Sequence, residues 1–182
     1  YDQFDKALYE SKYKDEIIKE YGQTFLDEIE INLKTFDPKI KDLLKQEIDL
    51  KNEYTKLTAG AKISYEGKDY NLAGLGPFHS DVNRKIRKKS YEARYGWFKD
   101  NENELDDIYD KLVKLRHKIA TTLGYDNFIE LGYYRMGRSD YGPKEVASFR
   151  RQIVDHVVPI VTKLHEQKKE ILGLDELYFY DG

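Results

Sequence analysis

The stretch ELDDIYDKLVKLRHKIATTLG, residues 104–124, decides the fold class of this chain. Leu105, Ile108, Tyr109, Leu112, Leu115, Ile119 and Leu123 recur at steps of three and four, which gathers their side chains on one face of an α-helix. Charged residues fill most of the positions between them, and Gly124 stands where a helix would end. A half-buried strand would alternate every second residue, and this stretch does not.

The same period continues on both sides. Upstream, Ser80 or Asp81 is expected to cap a basic helix over 83–99 carrying Arg84, Lys85, Arg87, Lys88, Lys89 and Arg94. Its apolar side is Val82, Ile86, Tyr91, Tyr95 and Phe98, and Asn101 or Asn103 marks its break. Residues 74–77, Gly-Leu-Gly-Pro, read as a loop. Before it lies the one β signal: 61–65 and 70–72 flank Glu66-Gly67-Lys68-Asp69 and predict a small hairpin that must lean on helices. Residues 2–34 carry a helical pattern with Gly22 as a possible kink. Asp37-Pro38 then restarts a helix to about residue 60, with Leu43, Leu44, Ile48, Leu50, Tyr54 and Leu57 as apolar positions. Downstream, a short helix over 127–136 precedes a loop over 137–142. Pro143 opens a last long helix to about 172, closed by Gly173. The expected fold is all-α, an elongated multi-helix bundle with one small β-hairpin: a helical arm over 1–60, then the hairpin and a helical body over 61–182.

Composition narrows the function. The 182 residues suffice to bury a core, and 16 Tyr and 8 Phe argue against disorder despite 36% charged residues. A net charge of −3 leaves no electrostatic footprint for nucleic acid or an anionic membrane. There is no cysteine, no signal peptide and no apolar run long enough to span a bilayer, so the cytoplasm is the expected setting. A start at Tyr1 rather than Met, and an end just after an apolar stretch, lead us to expect a piece of something longer.

Chemistry-bearing motifs are few. Zinc peptidase chemistry needs two histidines one helical turn apart with a glutamate beside the first. The nearest approach, His165-Glu166-Gln167-Lys168-Lys169, ends on a cation, and His156 lies nine positions before His165, on the opposite side of a helix. No serine sits in a nucleophile elbow, and Asp106, Asp107 and Asp110 read as a solvated face. The densest constellation is 130–141: Tyr133, Tyr134, Arg135, Met136, Arg138, Asp140 and Tyr141 within one helix end and loop. It can be a cap, with Asp140 paired to Arg138 or Arg135. Residue types alone favour that reading; the other is a substrate-channel wall, where tyrosine hydroxyls and arginine forks hold a peptide backbone or its C-terminal carboxylate.

Tyr134-Arg135-Met136-Gly137-Arg138-x-Asp140-Tyr141 closely resembles a stretch of oligoendopeptidase F and its relatives in the M3 family of zinc peptidases. Glu53-Tyr54-x-Lys56-Leu57, the hairpin around Tyr65-Glu66-Gly67, and Arg116-x3-Ala120-x2-Leu123-Gly124-Tyr125-x-Asn127-Phe128 are similar as well. So are Phe149-Arg150-x-Gln152-Ile153, Val158-Pro159 and Leu172-Gly173-Leu174-Asp175. The resemblance implies part of a cytoplasmic helical enzyme that hydrolyses short peptides inside a deep channel. The family's His-Glu-x-x-His motif and later Glu ligand lie C-terminal of these residues. It therefore implies zinc in the intact enzyme, and no catalytic or metal-ligating residue in this chain. Tyr133, Tyr134, Arg135 and Arg138 become the candidate substrate-binding residues. The partners implied are short peptides and the protein's own C-terminal catalytic domain, with neither nucleic acid nor membrane. The alternative is a free-standing helical interaction module without peptidase activity, distinguished by whether the reading frame continues into a His-Glu-x-x-His helix.

Overall fold

A computed structural model describes residues 2–181. It is all-α with one small antiparallel hairpin, as the periodicities require. By contacts it divides into two compact units, one formed by residues 1–47 with 113–153 and the other by 48–112 with 154–182. Each is assembled from two separate stretches of the chain.

The first unit contains α1 (Asp2–Tyr9), α2 (Lys14–Tyr21) and α3 (Gln23–Thr35), with Gly22 between the last two at φ 87°. The restart at Asp37-Pro38 is present: Asp37 Oδ1 accepts the Lys39 N–H at 2.9 Å, and a 3₁₀ turn, Pro38–Ile40, leads into α4 (Lys41–Ala59). The unit also takes the end of α7 (Glu102–Thr122), then α8 (Phe128–Arg135) and α9 (Pro143–Gln152). Helix α3 packs against α1, α2 and α8. Leu26, Ile29, Ile31, Ile40, Leu43, Leu115, Ile119, Ala120 and Leu131 form the buried set, and burial of such side chains contributes about 1.5–3 kcal/mol apiece.

The second unit is organised around the hairpin, β1 (Ile63–Tyr65) and β2 (Lys68–Tyr70). Ile63 pairs with Tyr70 and Tyr65 with Lys68, so the connection is two residues, Glu66-Gly67, rather than the four expected. Both have positive φ, 49° and 76°, the pairing whose twist matches that of the strands it joins. A Cβ on Gly67 would touch nothing within 4 Å, so Gly67→Ala isolates the backbone term. We expect a loss of about 1–2 kcal/mol in urea unfolding, with an unchanged structure.

Ile63 and Tyr65 face inward onto Leu75, Phe78, Ala93 and Trp97, which is how so short a hairpin is held. The stretch expected as a loop at 74–77 is tighter than that. Gly74 N–H donates to Asn71 Oδ1 at 2.7 Å, Leu75 is fully buried, and Gly76–His79 forms one helical turn, α5. Asn83, not Ser80 or Asp81, caps α6 (Arg84–Asp100): its Oδ1 accepts from Lys85 N at 3.0 Å, while Asp81 accepts from Asn83 N one step earlier. Asn101 is the joint between α6 and α7, and acidic Glu102 and Glu104 fill the first turn of α7, where the helix dipole favours them.

The expected last long helix is interrupted. After α9 comes a π-helical turn, Ile153–Val157, and only then α10 (Val158–Leu172). Pro159 has no N–H to give to the carbonyl four residues back, and its ring crowds that carbonyl; widening the preceding turn relieves both. Val154, Val158, Ile160, Leu164 and Ile171 are all exposed, as are Tyr178 and Phe179, whereas Tyr180 is buried. Among the described residues, no helix is long and apolar enough to cross a membrane.

Candidate substrate-binding site

Helix α8 carries the tyrosine–arginine cluster, and its two ends explain how. Asn127 Oδ1 accepts from Ile129 N at 2.8 Å to start it, and Leu131, fully buried, fixes its inward face. Gly137, at φ 68°, ends it: the Gly137 N–H reaches Tyr134 O at 2.8 Å and the Arg138 N–H reaches Tyr133 O at 3.2 Å. That pair of bonds turns the chain back sharply, a turn that a side chain at 137 would strain. Arg138 is thereby folded over the helix it has just left. Its guanidinium lies 4.8 Å from the centre of the Tyr133 ring and 5.5 Å from that of Tyr141. Cation–π contacts of this kind contribute about 0.5–1 kcal/mol where solvent reaches them.

Tyr133, Tyr134, Arg138 and Tyr141 line one hollow of about 710 Å³, with Glu130, Asp140 and Glu145 also on its wall. Tyr134 donates from its hydroxyl to Glu130 Oε1 at 3.0 Å, and Lys34 Nζ stands 4.9 Å above its ring. Burial pushes the hydroxyl of neighbouring Tyr125 up, and that hydroxyl donates to the Lys34 carbonyl at 3.0 Å. Glu145 Oε2 accepts the Gly142 N–H at 2.8 Å, which holds its carboxyl below the ordinary carboxylate range and starts α9. Hydroxyls, one guanidinium and ring faces around an open hollow are groups that suit a flexible polar chain with some apolar surface.

Of the four residues singled out in the sequence, the structure brings Tyr133, Tyr134 and Arg138 to this hollow and turns Arg135 elsewhere. Arg135 Nη2 donates to Glu47 Oε2 at 2.7 Å, and Arg116 Nε donates to Glu47 Oε1 at 2.8 Å. Glu47 is 1% exposed. Among the described residues, Asp140 forms no ion pair with Arg135 or Arg138; the first is taken by Glu47 and the second lies between two tyrosine rings. Glu47 was not singled out in the sequence, although a signal exists: it continues the buried stripe of Ile40 and Leu43 at steps of three and four.

A second ionic cluster sits in the other unit. Arg84 grips Asp181 with both prongs, Nε to Oδ1 and Nη2 to Oδ2, each at 2.8 Å. Tyr178 N–H adds a bond to Oδ2 at 3.0 Å, Arg87 Nε donates to the Tyr180 carbonyl at 2.7 Å, and Lys168 Nζ donates to the Asp181 carbonyl. Thus two cations of the basic helix, Arg84 and Arg87, hold the segment around Asp181. Nearby, His79 is stacked on Tyr91 at 4.1 Å; among the described residues its buried Nε2 has no hydrogen-bond partner, and burial lowers its pKa, which favours the uncharged ring. His117, His156 and His165 are exposed. Among the described residues, no group of three or more His, Asp or Glu converges to hold a metal ion. The side chains present do not fit one.

Comparison with known proteins places these observations. The profile of Peptidase family M3 matches residues 78–182. An oligoendopeptidase F homolog of Borreliella burgdorferi is 28% identical over 104 residues, 57% of this chain and 17% of that protein. Two solved structures share the backbone nearly throughout. One is PZ peptidase A with an inhibitor, at TM-score 0.93 and 43% identity over 99% of this chain. The other is assigned to oligoendopeptidase F of Bacillus anthracis, at TM-score 0.91 and 40% identity, again over 99% of this chain. The chain spans about a third of those two structures, 32% and 33% of their lengths. With the profile matched over more than half its length and the fold shared over nearly all of it, the chain belongs to Peptidase family M3.

Proposed function

We propose that this chain is the non-catalytic helical part of a cytoplasmic, zinc-dependent oligoendopeptidase, and that the hollow at the end of α8 borders the channel through which short peptides reach the reaction centre. The observation that carries this reading is the convergence of Tyr133, Tyr134 and Arg138 on one open hollow, in a chain whose relatives are named as oligoendopeptidases. Residues 61–182 then lead into the catalytic domain, and residues 1–60 form an arm before them. The apolar side chains exposed along α10 and at Tyr178 and Phe179 offer that domain a packing surface.

In this proposal the segment binds and orients. Arg138, braced between two rings, keeps its N–H edges available for a peptide carbonyl or terminal carboxylate. The tyrosine hydroxyls can donate to carbonyls or accept from amides along an extended backbone. Holding the peptide in register lowers the entropy that the cleavage step must supply. No step passes through a metal, which these residues do not fit.

Arg138→Ala in the full-length enzyme tests this. Loss of one charge-assisted hydrogen bond is worth about 1.5 kcal/mol, so kcat/KM for short peptides should fall about tenfold with folding intact. An unchanged kcat/KM, in this variant and in Tyr134→Ala, would remove the hollow from the peptide's path.

A further inference from the structure

The geometry points to Glu47 as a positioning residue for the tyrosine–arginine wall, an inference that rests on reading the hollow as the peptide site. Glu47 lies on α4, outside the hollow, and does not line it. Its side chain is 2% exposed, and the carboxylate receives guanidinium groups from two other elements, Arg116 of α7 at 2.8 Å and Arg135 of α8 at 2.7 Å. Both guanidinium carbons also lie 5.7 Å from the centre of the Phe128 ring. Phe128 is the first residue of α8 and Arg135 the last, so one carboxylate governs both ends of that helix.

The consequence for the wall follows from chain connectivity. Tyr133 and Tyr134 immediately precede Arg135. Gly137 reverses the chain two residues later, and Arg138 then lies back over Tyr133. Fixing Arg135 against a buried charge therefore fixes the azimuth of α8, and with it which way both tyrosines and the folded-back arginine face. A buried ion cluster is a weak source of net stability, because desolvation offsets the attraction, but a wrong rotation of α8 would strand the Glu47 charge without its guanidiniums. Apolar packing of Leu131 alone tolerates a small rotation; a short charge-assisted hydrogen bond from Arg135 to a buried carboxylate that Arg116 also holds is far more directional. The effect expected of Glu47 is thus on peptide binding, through Arg135 and the helix end, and not on the chemical step.

The test is Glu47→Gln in the full-length protein, read two ways. Peptide KM should rise about tenfold while kcat stays within about twofold, since misplaced binding groups weaken substrate binding without touching reacting atoms. Amide hydrogen exchange over residues 128–141 should accelerate in the same variant. Glu47→Asp, which keeps the charge one methylene short, should restore part of the KM. If exchange and KM are both unchanged, Glu47 does not position the wall. A fall in kcat at unchanged KM would mean only that less enzyme is folded, which also overturns the inference. Faster exchange at unchanged KM would leave Glu47 as an anchor of α8 but sink the peptide-binding reading itself. Should Glu47→Gln fail to fold, Arg135→Lys, which keeps the charge and loses the longer, planar guanidinium, should raise KM in the same direction by a smaller factor.

Discussion

Asp181→Asn should destabilise the second unit by about 3 kcal/mol, measured by urea unfolding at neutral pH. The carboxylate is 1% exposed and is gripped by Arg84 in a two-pronged contact, with Arg87 and the Tyr178 N–H alongside. Asparagine keeps one acceptor oxygen but presents an amide where Arg84 needs a carboxylate, leaving the guanidinium uncompensated. The lower end of the range for a broken buried pair is appropriate because Arg84 is 38% exposed and water recovers part of its charge. The effect carries a pH signature. Arg84 above all, opposed by burial and assisted by Tyr178 and Arg87, holds the Asp181 carboxyl well below the usual carboxylate range. Because the folded value lies below that of the unfolded chain, near about 4, this stabilisation is complete above that pH and is lost as pH falls further. The gap between the natural chain and Asp181→Asn should accordingly shrink between neutral pH and about pH 2. A gap that stays constant would mean that the Arg84 contact contributes nothing to folding.

Glu47→Ala is the second large effect. It leaves two guanidiniums facing a hole where a buried carboxylate stood, and such truncations cost about 3–5 kcal/mol. The informative comparison is the triple change Glu47→Leu, Arg116→Met, Arg135→Met, which replaces these three side chains by apolar groups of similar bulk. It should be within about 1–2 kcal/mol of the natural chain, and can even exceed it in stability. The two results together separate the cost of stranding a charge from the worth of the cluster, and leave orientation of α8 as the reason for keeping it. A triple variant as unstable as Glu47→Ala would show instead that the ion contacts themselves hold the unit together.

How much of this was legible in the sequence depends on whether the cause is local. Helix α7 was readable from the steps of three and four between Leu105 and Leu123, and the structure has it at Glu102–Thr122. The restart at Asp37-Pro38 and the stop at Gly173 were readable because caps act through bonds to neighbours within a turn. The cap of α6 was placed too early. Ser80, Asp81 and Asn83 are all competent acceptors, and only the geometry of the preceding turn at Phe78 and His79 selects Asn83. The π-helical turn before Pro159 was missed because a proline within a helical pattern announces trouble without saying whether the helix ends, kinks or widens.

The candidate site divides the same way. Tyr133, Tyr134 and Arg138 share a hollow because Gly137 turns the chain over a helix it has just finished, a local event that spacing alone suggests. Arg135 could not be sorted from its neighbours, since its partner Glu47 is 88 residues away along the chain. The same holds for Arg84 and Asp181, 97 residues apart, where a run of basic residues gives no sign of the carboxylate that two of them meet. Glu47 itself was hidden by its type. A carboxylate on an apolar stripe reads as an interruption until the cations that meet it are known.

The most direct test of the central claim is to measure zinc content and short-peptide hydrolysis side by side for residues 1–182 alone and for the full-length protein. Zinc binding and peptide cleavage in the full-length protein, with neither in residues 1–182, is the result this account predicts. Zinc binding and hydrolysis by residues 1–182 alone would contradict it, and would move the reaction centre into the chain described above.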